Sequence, residues 1–192
     1  RETAEALREL SEAEPVIYEV LDDISIEGSK GGTGVTERKR AIVMNSDLSD
    51  DGKLAMYSRM FVSDTESGKK EQALMNELVK SGVDSGIVAD VFSGLKDEGT
   101  DAGKCNVLLD SSLTNIEVEK VYLQRVVSDN DREKAQEKID KVIDAGGNIR
   151  VYLKAYAAVS GLSWENGDWK KGESGGKSQA YKAAIDKVTS KV

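Results

Sequence analysis

The reactive side chains of this 192-residue sequence are almost all carboxylates: it has 35 Asp and Glu, one cysteine and no histidine. Two carboxylates suffice for glycosidic hydrolysis, in which one acts as general acid and the other as nucleophile or base. No local spacing selects such a pair, so a carboxylate-dependent hydrolase is kept as an alternative. A Cys–His nucleophile is impossible without histidine, and we expect Cys105 to be a buried structural residue.

Two segments have the composition of ligand-binding loops without the required spacing. Segment 172–178, GESGGKS, resembles a phosphate-binding loop, but Lys171 stands where the first glycine belongs and no apolar strand precedes it. In the acidic run at 47–51, the following Gly52 comes too early for a calcium loop and no final Glu is present. Acids interacting with a helix N-terminus explain that run better. We therefore predict no cofactor, no metal and no catalytic residue.

The charge balance favours protein partners. The net charge of −8 opposes nucleic-acid binding, which needs clustered Lys and Arg, and it repels anionic membranes. The longest apolar stretches, such as residues 151–159, are far shorter than the roughly 18 residues that can span a bilayer. We expect the partners to be other protein subunits, with no nucleic acid and no membrane.

Two tryptophans are the candidate partner-binding residues. Trp164 and Trp169 lie in segment 163–169, SWENGDW, which we predict to be a loop. An exposed Trp is a favoured interface anchor. The alternative is that one or both cover an apolar gap between packed helical units. Trp169 is the stronger candidate for a contact residue.

Helical periodicity, with apolar residues at i, i+3, i+4 and i+7, runs through nearly the whole chain, and no segment shows sustained strand alternation. The sequence therefore predicts an all-α fold with a glycine-rich loop at residues 28–34. Leu54, Tyr57, Met60 and Phe61 are expected to face the core. Helices are predicted at residues 3–13, 36–44, 49–62, 84–95 and 151–159. A further helix is predicted to begin at Pro15, and another to be capped near Ser67 and to end at Gly82. Two more are predicted to begin at the capping boxes 114–117 (TNIE) and 130–133 (NDRE).

A duplication is visible when residues 47–64, DLSDDGKLAMYSRMFVSD, are set against residues 112–129, SLTNIEVEKVYLQRVVSD. Tyr57 then matches Tyr122, and the same register places Leu78 on Ile143. After a shift of one residue, Gly82 falls on Gly146. We predict tandem helical repeats of short helices stacked around an aliphatic core. The units are 1–34 (N-terminal helices and glycine-rich linker, the tail of a preceding unit), 35–101 (first repeat), 102–173 (second repeat) and 174–192 (start of a further unit).

The succession of short helices, Ser-Asp turn, glycine, aromatic helix and Gly/Lys-rich loop resembles helical repeats of large structural proteins of tailed phages, the minor capsid or ejected internal virion proteins. The resemblance rests on segments 47–49, 113–114, 147–162 (GNIRVYLKAYAAVSGL) and 174–186 (SGGKSQAYKAAID). It implies a non-enzymatic structural or protein-interaction role in a virion or host cytoplasm, and no catalytic residue. A cellular helical-repeat adaptor is the alternative. Because the first residue is Arg1, we expect a fragment or a processed product.

Overall fold

The computed structural model describes residues 16–165, and their side chains as far as residue 157. This part of the chain contains α-helices, a π-helical segment at Tyr122–Val126 and a 3₁₀ turn at Asp129–Asp131, and no strand, so the all-α prediction is confirmed. The helices are α1 (Ile17–Lys30), α2 (Val35–Met44), α3 (Asp50–Phe61), α4 (Glu66–Lys80), α5 (Ser85–Asp97), α6 (Asp101–Asp110), α7 (Asn115–Val121), α8 (Arg132–Asp144) and α9 (Ile149–Glu165).

The chain divides into two compact units, Arg1–Ser93 and Gly94–Val192, and the division falls within α5. The described part of each unit consists of several short helices. In both units a glycine with positive φ ends a helix, Gly82 at 98° and Gly146 at 85°, as expected for a left-handed C-terminal residue. That the units are copies of one repeat stays a prediction. The predicted helix at 3–13, the GESGGKS loop and segment 174–192 lie outside the described residues.

In the first unit, the apolar face of α1 packs against α2, α3 and the connection between them. Ile17, Val20 and Ile24 form one cluster with Val43, Leu48 and Met56, and all six are at most 5% exposed. This burial at i, i+3 and i+7 is the amphipathic pattern that removes one helix face from water. The cluster is aliphatic apart from the thioether of Met56, as predicted.

The helix α1 runs further than the glycine-rich composition suggested. The predicted loop at 28–34 is wrong in its first half, because α1 continues through Gly28 to Lys30. Glu27 accepts hydrogen bonds from Arg38 and, at 2.9 Å, from Lys30, and these bonds hold its carboxyl pKa below the usual value. Arg38 also donates to the carbonyl of Gly31 at 3.1 Å. Arg38 on α2 thereby stabilises the last turn of α1. This contact cannot be inferred from the composition of residues 28–34.

Burial departs from the predicted inward positions at two helix ends. Tyr57 and Phe61 lie inward or partly so, but Met60, in the last turn of α3, is 37% exposed. On α8 the buried stripe is Ala135, Ile139 and Val142, whereas Ile143 is 44% exposed. The burial pattern therefore matches Leu78 with Val142. In the predicted repeat alignment, the one-residue shift therefore belongs at the start of the helix, where the second unit has its 3₁₀ turn, rather than after the helix.

Four of the helix starts share one kind of cap, and the sequence predicted it only in part. Ser or Thr side chains accept the N–H three residues on at α3, α4, α6 and α7, and the caps are Ser49, Thr65, Thr100 and Thr114. The capping box at Thr114 is confirmed, since Glu117 also accepts the Thr114 N–H at 2.7 Å. The cap near Ser67 is Thr65, and the capping box expected at 130–133 is absent, because Asp131 begins α8 without a side-chain cap.

The second unit has a core of aliphatic side chains together with the rings of Tyr122 and Tyr152, and a long-range helix cap. Cys105, Leu108 and Ile139 are fully buried, as are Val118 and Val121 of α7. The guanidinium of Arg150, at the start of α9, donates to the carbonyls of Leu108, Leu109, Ser111 and Leu113 at 3.2, 2.5, 3.1 and 2.6 Å. One side chain therefore bonds to four carbonyls at the end of α6 and in the turn that follows it, of which that of Leu108 also accepts the hydroxyl of Ser111 at 2.7 Å.

Candidate functional site

A groove lies between α3 and α4 in the described part of the first unit, and we call it the hairpin groove. Its volume is about 580 Å³. Only four residues join the two helices, and we call this pair of helices the hairpin. The residues that line the groove are Asp51, Leu54, Ala55, Ser58, Arg59, Gln72, Asn76, Val79, Lys80 and Ser85.

The floor of the hairpin groove is apolar and partly open to solvent. Leu54, Ala55 and Val79 are each intermediate in exposure, and they belong to the faces of α3 and α4 that do not enter the buried core. Because Ala55 and Ser58 have small side chains, they leave the groove deep at these positions. Apolar surface left accessible between two packed helices is the feature of a monomer surface that marks an interaction site.

Polar groups surround this floor. Gln72 donates to the side-chain oxygen of Asn76 at 3.0 Å, one turn apart on α4. Two cations also line the groove, Arg59 near the end of α3 and Lys80 at the end of α4, and neither forms an ion pair with any residue that the structure describes. The groove therefore carries unpaired positive charge in a chain whose net charge is −8.

The hairpin is held rigid from its inner side. The buried hydroxyl of Tyr57 on α3 lies 2.8 Å from Oε1 of Glu71 on α4 and 3.1 Å from the carbonyl oxygen of Phe92 on α5. Since Tyr57 and Glu71 are 0% and 3% exposed, this contact ties the three helices together where water is excluded. The groove on the outer side is a preformed surface.

The groove does not bring together the paired acids that a hydrolase needs. Its single carboxylate, Asp51, accepts the hydroxyl of Ser85 at 2.6 Å. Partial burial of its carboxyl group raises the pKa of Asp90. The charge of Lys53 opposes this increase, and the charge of Asp50 adds to it. As a residue, however, Asp90 is exposed on α5 and lies outside the groove. No cluster of three or more acidic or cysteine side chains suited to a metal occurs between residues 16 and 157.

The sequence-selected residues fall elsewhere. The backbone of Trp164 lies inside α9, so its assignment to a loop is wrong, and its side chain is outside the described set. Trp169 lies outside the described residues altogether. Cys105 is a free, fully buried thiol, as predicted, and burial, with Asp101 nearby, raises its pKa to about 12.

The sequence reading missed the groove. The available signal was the spacing of Leu54, Ala55 and Ser58 along the face of α3 opposite Met56, but apolar residues on that helix were all assigned to the core. In addition, Arg59 and Lys80 are 21 residues apart, and only the hairpin brings them to one groove.

Comparison with known proteins gives no relative on which to base a function. Neither a family model, nor a curated protein, nor a solved structure matches this chain. Among the helices described, none combines the length and the apolar composition needed to cross a bilayer.

Proposed function

We propose that this chain is a non-enzymatic protein-interaction module whose hairpin groove receives the apolar face of an acidic helix from a partner protein. The observation that carries the proposal is the partly exposed floor of Leu54, Ala55 and Val79 flanked by the unpaired cations Arg59 and Lys80. The apolar floor supplies affinity, and the cations select partners with carboxylates beside the apolar stripe.

A helix fits this surface better than an extended peptide does. The groove is bounded by helices, whose backbone N–H and C=O groups are already bonded within each helix. An extended peptide would find no backbone partners there and would leave its own polar groups to water. A helical segment satisfies its own backbone and presents side chains at i, i+3, i+4 and i+7 to the floor.

The setting that we propose is a phage particle, with the chain acting as part of a virion protein among other protein subunits. The support is the resemblance of segments 147–162 and 174–186 to phage structural repeats. A cryo-microscopy map of phage particles tests the setting. Density for this chain within the particle would support it, and a particle without such density would favour the cellular adaptor. No feature of the described residues supports the carboxylate hydrolase.

The groove is tested with a defined probe, a 16-residue helical peptide with Leu at i, i+3, i+4 and i+7 flanked by Glu, and a second peptide with Lys in place of each Glu. We expect the Glu peptide to bind and to shift the backbone amide resonances of α3 and α4. The double variant Arg59→Gln/Lys80→Gln should bind about fivefold more weakly, the effect of losing about 1 kcal/mol of rim charge pairing.

The matched control is Lys69→Gln/Lys70→Gln, which removes two charges from the exposed face of α4 outside the groove. This control should leave the affinity for the Glu peptide unchanged apart from a small salt-dependent effect. Equal binding of the Lys peptide, or equal weakening by both double variants, would overturn the charge selection. Absence of amide shifts in α3 and α4 at millimolar peptide would overturn the groove itself.

A further inference from the structure

The second unit contains a separate cavity, which we call the tyrosine pocket, with a volume of about 460 Å³. Its floor consists of the rings of Tyr122 and Tyr152, which are 3% and 2% exposed, together with Ala135. Tyr156, which is only partly buried, forms one wall. A volume of this size lies within the range of small-molecule sites.

The pocket arises from an irregular turn. After Val121 the chain widens into a π-helix, in which the N–H of Val127 bonds to the carbonyl of Tyr122 at 3.0 Å. Such wide turns are rare and are found frequently at functional sites. The segment places Tyr122 inward while Val126 remains at the pocket wall.

The three rings offer faces and edges to a planar ligand. The centroid of Tyr122 lies 5.7 Å from that of Tyr152 and 6.5 Å from that of Tyr156, with interplanar angles of 67° and 69°. Tyr152 and Tyr156, one turn apart on α9, are stacked at 6.4 Å with an angle of 20°. Aromatic rings pack favourably in both edge-to-face and offset-stacked arrangements.

Two polar groups lie at the bottom of the pocket. The hydroxyl oxygens of Tyr122 and Tyr152 are 3.5 Å apart, at the long limit for a hydrogen bond. Burial, with Tyr152 close by, raises the pKa of Tyr122 far above its ordinary value. Its phenol is therefore neutral at any physiological pH.

Four charged side chains line the pocket, Asp101, Asp131, Lys134 and Lys138, and Lys138 already interacts with another group. Asp131 accepts the hydroxyl of Ser128 at 2.7 Å, and Asp101 lies 3.8 Å from the ammonium of Lys104. Lys134, which lines the pocket from α8, is exposed and forms no ion pair with any residue in the described part of the chain. Its ammonium is placed to meet an anionic group at the mouth.

We propose that the tyrosine pocket binds a small aromatic carboxylate, with the ring packed among Tyr122, Tyr152 and Tyr156 and the carboxylate paired with Lys134. The buried floor of tyrosine rings and hydroxyls offers no counter-ion and so excludes a ligand that is charged at both ends, and the cation at the mouth selects the acid over the corresponding amine. This inference goes beyond the proposed interaction role and does not depend on the hairpin groove, which lies in the other unit.

The test uses the full chain and three named probes: indole-3-acetate, its methyl ester, and tryptamine as the amine counterpart. We expect indole-3-acetate to bind with a dissociation constant of about 1 mM or tighter, as its size allows. The shifted amide resonances should belong to the π-helical segment, α8 and the start of α9. Tryptamine should bind more weakly than the acid.

Two variants separate charge from packing. Lys134→Gln should weaken binding of the acid two- to fivefold and leave that of the ester unchanged, whereas Lys141→Gln, on the same helix outside the pocket, should change neither. Tyr156→Leu should weaken both, with thermal unfolding and circular dichroism recording that the fold is intact. Tryptamine binding as tightly as the acid, an unchanged affinity in Lys134→Gln, shifts outside the pocket, or no binding at 10 mM would each overturn the proposal.

Discussion

Replacing Arg150 with Met is expected to lower the free energy of unfolding of the second unit by about 3 kcal/mol. The methionine keeps an apolar stem of similar length but removes the guanidinium, and with it the donors to four carbonyls at the end of α6 and in the following turn. Hydrogen bonds from a charged donor contribute about 1.5–3 kcal/mol each, and water can replace only those that are accessible. The loss is therefore smaller than the sum but large for one side chain.

Urea unfolding followed by circular dichroism measures this change, and amide hydrogen exchange locates it. Protection should fall first in α6 and at its junction with α7. The control is Lys154→Met, one turn further along α9 at an exposed position, which should change stability by less than about 0.5 kcal/mol. Arg150→Lys should lie between, because an ammonium cannot reproduce the planar fork. An Arg150→Met protein as stable as the Lys154→Met control would contradict the capping role.

The second large effect is expected at Gly68, the third residue of α4. A methyl group added there would lie 1.8 Å from the carbonyl oxygen of Ser63, a backbone atom that cannot turn aside. The turn before α4 must therefore move, and we expect Gly68→Ala to destabilise the first unit by about 3 kcal/mol, as strained overpacking does. Thermal and urea unfolding of the purified variant measure the loss.

Gly103 provides a matched control, because it occupies the same position of α6 after the same kind of threonine cap. A methyl group at Gly103 would meet a carboxylate oxygen of Glu98 at 2.0 Å, the end of a flexible side chain that can rotate away. Gly103→Ala is expected to be neutral or to stabilise by up to about 1 kcal/mol, since alanine reduces the freedom of the unfolded chain. If both variants were equally stable, the turn at Ser63 would be more adaptable than its geometry indicates.

The sequence predicted what depends on nearby residues. The helix starting at Thr114 was found because its capping box lies within four residues, and the ends at Gly82 and Gly146 because only glycine readily adopts their positive φ. The all-α class followed from helical periodicity, whereas the predicted aliphatic core is only partly right, because the rings of Tyr57, Phe92, Tyr122 and Tyr152 are buried in it. Each of these features is decided within one or two turns of the chain.

The features that the sequence did not predict depend on contacts that are distant along the chain. Arg150 caps carbonyls from Leu108 to Leu113, about 40 residues earlier, so nothing near position 150 indicates its role. The π-helical turn at Tyr122–Val126 depends on how the ring of Tyr122 packs against α9. Likewise, the last turn of α1 is held by Arg38, and the composition GSKGG alone indicates a loop.

The buried thiol of Cys105 makes the rate of thiol labelling a measure of how often the second unit unfolds. A thiol reagent reacts with the thiolate, and at neutral pH a thiol with a pKa near 12 is almost entirely protonated as well as shielded from solvent. Alkylation therefore has to wait until this unit opens and the sulfur regains ordinary acidity. Because the chain has one cysteine, the labelling rate measures the opening of the second unit alone. No probe has to be introduced, and the first unit gives no signal.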